Sequence, residues 1–235
     1  MHVPDGFLDA PTSVVTGAVA AAGVGLALRG ARKELDDRTA PMAGLVATFV
    51  FATQMLNFPV GAGTSGHLLG GALAAVLVGP WTGLLCVSVV LIVQALLFAD
   101  GGITALGTNI TLMAIVGVLV GWLVFRALQL VLPRRLAFVA PAAFVGALVS
   151  VPVAALAFVG LYAVGGTAPI PLDTLTTAML GWHVLIGVGE AVITGLVVGS
   201  VIAVRPDLVY GGRRALGSRK LEIRTVDGAN EGAAA

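Results

Sequence analysis

Residues 67–99 read HLLGGALAAVLVGPWTGLLCVSVVLIVQALLFA. The stretch holds no aspartate, glutamate, lysine or arginine, so it reads as membrane-embedded. A crossing helix takes roughly 20 residues. This run is too long for one crossing and short for two. Gly79-Pro80 divides it, because proline has no N–H with which to continue a helix and glycine accepts the turn. The division gives a short span over 67–79 and a full one over 80–99. Whether these are one helix or two decides which side of the membrane holds everything after residue 99.

The chain as a whole has the composition of a polytopic membrane protein. Its 235 residues are 58% hydrophobic and 11% charged, with a mean hydropathy of +1.02. A soluble domain carries about 25% charged residues, so this chain cannot cover itself with a polar surface. Its 32 glycines suit close helix contacts in lipid. A single cysteine, Cys86, leaves no disulfide framework and no cysteine metal cluster.

Seven spans follow, at about 13–29, 41–60, 67–79, 80–99, 108–131, 136–163 and 176–204, and the predicted fold is an all-α polytopic membrane helical bundle. Charge tests the count. All 13 lysines and arginines fall within 29–38, 126–135 and 205–224, which seven spans place on one side. Reading 67–99 as one helix would strand Arg126, Arg134 and Arg135 on the other side. The predicted topology therefore has the N-terminus outside and the C-terminus cytoplasmic. Residues 1–204 form the integral membrane domain, and 205–235 a disordered cytoplasmic tail. The basic half of that tail reads as solvated, with contact to anionic lipid or a partner as the alternative. No basic residue precedes Arg29, so the N-terminus lacks the charged start of a cleavable signal peptide.

Four segments share the outside: MHVPDGFLDA (1–10), NFPVGAGTSGHLLGG (57–71), FADGGITALGTNIT (98–111) and GGTAPIPLDT (165–174). None contains a cation, which suits a site for a cation and not for an anion. Two of the three histidines, His2 and His67, lie there; His183 lies in the last span. Methionine is expected to stay ahead of a residue as bulky as histidine, so Met1 offers a free amine. A metal bound to that amine and to the His2 amide nitrogen closes a five-membered ring. From the amide to the His2 Nδ1 it closes a six-membered one. His67 would supply a fourth nitrogen. A square of nitrogens suits Ni²⁺, Cu²⁺ or low-spin Co²⁺. It disfavours tetrahedral Zn²⁺ and excludes hard Mg²⁺ and Ca²⁺. The alternative is a solvated terminus, and these residues alone leave both readings open.

MHVPDGFLD, NFPVGAGTSGHLLGG, LLFADGGITALGTN and HVLIGVGEAVITG, in this order and spacing, resemble the CbiM/NikM family. These are substrate-capture membrane subunits of cobalt and nickel energy-coupling-factor transporters, and the resemblance runs from residue 1 to about 204. It implies a transport subunit rather than an enzyme, in the cell membrane of a prokaryote. Ni²⁺ or Co²⁺ is its substrate, and no organic cofactor is implied. The implied ligands are the Met1 amine, the His2 amide and imidazole nitrogens, and His67. The implied partners are a transmembrane coupling subunit, ABC ATPase subunits and a small accessory membrane subunit. The chain reads PVGAGTSGH where many members have PVPGGTSGH, a loss of proline that removes no ligand.

Thr64, Ser65, Thr108 and Asn109 are candidates to orient these ligands; for Thr108 and Asn109 a helix cap is the alternative. Pro4-Asp5-Gly6 reads as a turn that folds the first residues toward His67. His183 and Glu190 sit seven apart on one face of the last span. They suit interhelical hydrogen bonding or a relay. Gln54, Asn57 and Gln94 are expected to satisfy backbone or one another. A stand-alone divalent-metal channel or secondary transporter is the alternative function. It would want a core lined by ionisable groups, and only His183 and Glu190 qualify. No GxxxxGK[ST] run is present, so ATP hydrolysis falls to partners; no HExxH is present either.

Overall fold

The long apolar runs form helices in a computed structural model that describes residues 1–35, 39–61 and 64–217. Helix α1 (Ala10–Ala31) begins where the Asp9 carboxylate accepts from the Thr12 N–H at 2.9 Å, with Pro11 in the first turn. Helix α2 (Ala40–Gln54) follows. A short hairpin comes next, β1 (Phe58–Gly61) and β2 (Thr64–Gly66), with Phe58 opposite Gly66 and Pro59 opposite Ser65. Helices α3 (Gly71–Val78) and α4 (Pro80–Leu97) make up the stretch divided at Gly79. The remaining rods are α5 (Leu106–Val131), α6 (Leu136–Gly165) and α7 (Leu172–Val204).

Five helices, α1, α4, α5, α6 and α7, are long and apolar enough to cross a membrane. Two of the seven expected spans, the second and the already short third, fall below the length of a full crossing. Helix α2 stops at Gln54 rather than near residue 60, because Pro59 disfavours helix at Phe58 and cannot donate in one. Helix α3 has only 8 residues, about 12 Å of rise against a hydrocarbon core of roughly 30 Å. It survives inside the membrane region because protein surrounds it: every residue from Gly71 to Val78 is buried.

Glycines make that embedding work. A Cβ at Gly83 of α4 would lie 2.8 Å from the Ala75 nitrogen, and one at Gly121 of α5 would lie 2.6 Å from the Ala72 Cβ. Backbone therefore meets backbone on two sides of α3. The break before α4 needs Gly79, whose φ of +101° side chains rarely adopt. Glu34, beyond the end of α1, caps α4 by accepting from the N–H groups of Thr82 (2.7 Å) and Trp81 (3.2 Å). Within α6, Pro152 cannot donate to the Leu148 carbonyl, and α7 packs closely there through Gly187. In α5, residues Ile110–Gly117 are wound as π-helix, directly after Asn109.

Helix ends gather at two poles. One holds residues 1–9, 55–61, 64–70, 98–105 and 166–171. The other holds the end of α1, Gly79, residues 132–135 and the segment after α7. That last segment corrects the predicted boundary of the tail. Residues 206–216 form short helical turns (Pro206–Leu208, Tyr210–Gly212, Arg213–Leu216) folded against the bundle. Gln129 donates to the Gly211 carbonyl at 2.8 Å, and Val209 is fully buried. Residues 218–235 lie outside the described residues.

Candidate metal centre

Chain starts are usually solvated, but here Met1, His2 and Val3 are only 2%, 7% and 1% exposed. Asn109, at the foot of the π-helical stretch, grips Val3 on both sides. The Val3 N–H donates to Asn109 Oδ1 at 2.7 Å, and Asn109 Nδ2 donates to the Val3 carbonyl at 3.2 Å. Gly102 N–H also donates to that carbonyl at 3.0 Å. The turn at Pro4-Asp5-Gly6 forms. Gly6 has φ of +73°, and Asp5 accepts from the Thr104 N–H at 2.7 Å. Further on, Thr167 N–H donates to the Phe7 carbonyl at 3.1 Å and Asp9 N–H to the Gly165 carbonyl at 2.7 Å. The first nine residues are thereby tied to two other loops of the same pole.

His67 arrives from the opposite direction and is fully buried. The loop after it is clamped by two helices. Glu190 of α7 accepts from the Leu69 N–H (2.6 Å) and the Gly70 N–H (3.0 Å), while Gln54 of α2 donates to the Leu69 carbonyl (2.7 Å). Two hydrogen bonds from backbone amides to one buried carboxyl group hold this loop in place. His67 Nδ1 lies 2.8 Å from the Leu68 carbonyl. A carbonyl only accepts, so Nδ1 carries the proton and Nε2 presents a lone pair. That Nε2 is buried with no hydrogen-bond partner among the described residues. His183 repeats the pattern, with Nδ1 2.8 Å from the Met179 carbonyl and Nε2 buried without a partner.

The imidazoles of His2 and His67 stack, with centroids 4.4 Å apart and planes at 26°. His2 Nε2 lies 3.2 Å from Gln94 Oε1, and Nδ1 lies 3.1 Å from Asp100 Oδ1. The second contact is close but is not a well-directed hydrogen bond. Asn57 donates to the same carboxylate at 3.3 Å. A cavity of about 580 Å³ opens over this arrangement, lined among others by His2, Asn57, Ser65 and Asp100.

Burial sets the electrostatics. The Met1 amine is pushed down to about 4, mainly by loss of water, with Asp100 opposing. The His67 imidazole is held well below its usual value by burial and then by the neighbouring amine. Contact with His2 holds Asp100 below the usual carboxylate range. At neutral pH the amine and His67 are therefore uncharged donors of lone pairs. Among the described residues no group of three or more histidine, cysteine, aspartate or glutamate side chains is placed to hold a metal ion.

The structure brings Met1, His2 and His67 to one pole, with Asn109 against Val3 and Ser65 at the cavity wall. Thr108 does not join them; its hydroxyl pairs with Thr16 of α1 at 2.7 Å. The side chain of Thr64 lies outside what is described, although its backbone belongs to β2. Sequence reasoning missed Asp100 and Gln94 as neighbours of His2; Gln54 satisfies backbone and Glu190 bonds across segments as expected, but that both close on the loop behind His67 was not foreseen. The sole signal was the rarity of such side chains in or beside apolar spans.

A family model described as "Cobalt uptake substrate-specific transmembrane region" (CbiM) matches residues 2–208. A putative metal transport protein of Haloquadratum walsbyi is 40% identical over 89% of this chain and 94% of its own length. A putative fused nickel transport protein NikMN of Archaeoglobus fulgidus is 40% identical over 89% of this chain and 68% of its own length. A crystal structure of a transition metal transporter superposes with a TM-score of 0.79 at 34% identity, covering 87% of this chain and 93% of that one.

Proposed function

We propose that this chain, which belongs to the CbiM family, captures Ni²⁺ or Co²⁺ at its own N-terminus as the substrate-binding membrane subunit of an ATP-driven uptake system. The observation that carries the reading is the burial of an uncharged terminal amine at the same pole as His2 and a His67 Nε2 with no other partner. An amine stripped of water with no acceptor to satisfy it is costly, and a metal ion is the ligand that would use its lone pair. The Met1 amine, the His2 amide nitrogen, the His2 Nδ1 and the His67 Nε2 form the ligand square. Capture turns His2 so that Nδ1 exchanges Asp100 for the metal and the stacked rings open. Asp100, below the usual carboxylate range, draws the cation through the cavity.

The metal-binding pole faces outward and the cation-rich pole the cytosol, following the segregation of all 13 lysines and arginines. ATP hydrolysis and inward release fall to partners: a coupling subunit, ABC ATPases and a small accessory membrane subunit. Relatives named as fused NikMN proteins, of which this chain matches 68%, support the accessory subunit. Calorimetry of the purified chain with Ni²⁺ and Co²⁺ tests the reading. One metal per chain is expected for the wild type, and a loss of affinity of roughly a hundredfold or more for His67→Ala with the helical spectrum unchanged. Undiminished stoichiometric binding by that variant would remove His67 from the site.

A further inference from the structure

The pole opposite the metal site carries a cavity of about 840 Å³ that the capture chemistry does not use. Three distant segments build it. Arg29 and Lys33 come from the end of α1, Arg126 from α5, and Arg213 and Arg214 from the segment folded back after α7. Glu34 is the one carboxylate among the described lining residues, and it is already committed to Trp81, Thr82 and the start of α4. Gathering five cations around one space costs repulsion that the fold-back of 206–216 could have avoided by leaving the segment solvated. Arg214 lines this cavity and a smaller one beside it, and its guanidinium Nη1 is buried with no hydrogen-bond partner among the described residues. A buried charged donor without an acceptor is strongly disfavoured. The cavity is therefore completed by an anion.

We propose that this cavity binds the phosphate headgroup of an anionic phospholipid. Arginine forks match phosphate oxygens in pairs, and basic pockets between membrane helices on the cytoplasmic side are suited to such headgroups. Two features select a lipid over a soluble phosphate. The walls include Trp81, Trp122 and Tyr210, aromatic types that settle at the water–lipid boundary. Arg126 stands over the Trp122 ring at 5.6 Å and Arg213 over the Tyr210 ring at 4.7 Å, so the cations sit at that same level. Just inward along the helices, Leu26 and Leu123 are 55% and 63% exposed, and Leu26 also lines the cavity. They give the acyl chains an apolar wall continuous with the headgroup site. The lipid would tie the folded-back segment to α1 and α5.

The test uses the full chain in phosphatidylcholine nanodiscs with a rising fraction of brominated phosphatidylglycerol. Two of the three tryptophans line the cavity, so quenching reports occupancy. Saturable quenching at low fraction is expected, favouring phosphatidylglycerol over brominated phosphatidylcholine by roughly tenfold. The Arg126→Ala/Arg214→Ala variant should lose that preference, while Arg126→Lys/Arg214→Lys keeps most of it and shows that the fold is intact. Equal quenching by the two lipids, or a preference that survives in the alanine variant, overturns the proposal. Displacement by millimolar inorganic phosphate also overturns it, since the site would then serve a soluble anion. Nickel titration of the same samples separates this outcome from any failure of the metal reading.

Discussion

The two poles of this bundle handle charge in opposite ways. At one, residues 1–10, 57–71 and 98–111 hold no lysine or arginine, and a terminal amine and an imidazole are buried uncharged. At the other, five cations surround one cavity and a carboxylate is spent on backbone N–H groups. On the proposed reading, the difference teaches how a membrane protein makes a cation site without a cluster of acids. It removes competing positive charge, takes lone pairs out of water, and leaves one carboxylate, Asp100, beside them. The opposite pole shows what the same fold looks like when positive charge is kept.

The sharpest way to break this contrast is to restore charge to the first pole. The Met1 amine has a folded value of about 4, below its ordinary 8.0. A base whose folded value is lowered is protonated more readily when undocked. Docking of the first residues is therefore strongest above about 8 and is lost progressively as pH falls toward 4. Across the whole window the effect is on the order of 5 kcal/mol, and lowered His67 acts in the same direction. Hydrogen exchange of residues 1–9 should show protection falling between pH 8 and pH 5, with metal affinity falling alongside. Protection independent of pH would show that the amine is not buried uncharged.

A second intervention loosens the clamp and leaves the ligands alone. Glu190→Ala orphans the N–H groups of Leu69 and Gly70. It should destabilise the fold by roughly 2 kcal/mol or more and weaken metal binding tenfold to a hundredfold. Glu190→Gln, which can still accept, should recover part of both in thermal melts and calorimetry. Asn109→Ala frees Val3 but not His67, and should weaken binding by about tenfold. Smallest of all, the Arg126→Ala/Arg214→Ala variant should leave nickel affinity unchanged, because its residues lie at the other pole.

Much of this arrangement was legible before any coordinates. Charge segregation over 29–38, 126–135 and 205–224 separates the poles, and His2 and His67 stand out because histidine is scarce. Asn109 was a candidate partner of the turn with a helix cap as the alternative, and the sequence left the two open. That the third span is short was legible at Gly79-Pro80, but that its helix is only eight residues was not. Eight residues persist there because Gly83 and Gly121 admit their neighbours' backbones, a property of pairs that no single segment displays. Asp100 beside His2, and Glu190 behind Leu69, join residues 98 and 121 positions apart. The fold-back of 206–216 escaped for a related reason. A charged, glycine-rich segment resembles a solvated tail until Gln129 is found holding Gly211.

The central claim is that the first amine of the chain is itself a ligand, and adding one residue before Met1 tests it most directly. The extension turns the amine into an amide, while His2, His67 and the bundle keep their side chains. Calorimetry with Ni²⁺ on the untagged chain and on the extended chain should show one high-affinity site in the first. In the second, with an unchanged helical spectrum, affinity should fall by a hundredfold or more. Equal affinity in the two proteins would contradict the account, because no site that depends on the Met1 amine could survive the change.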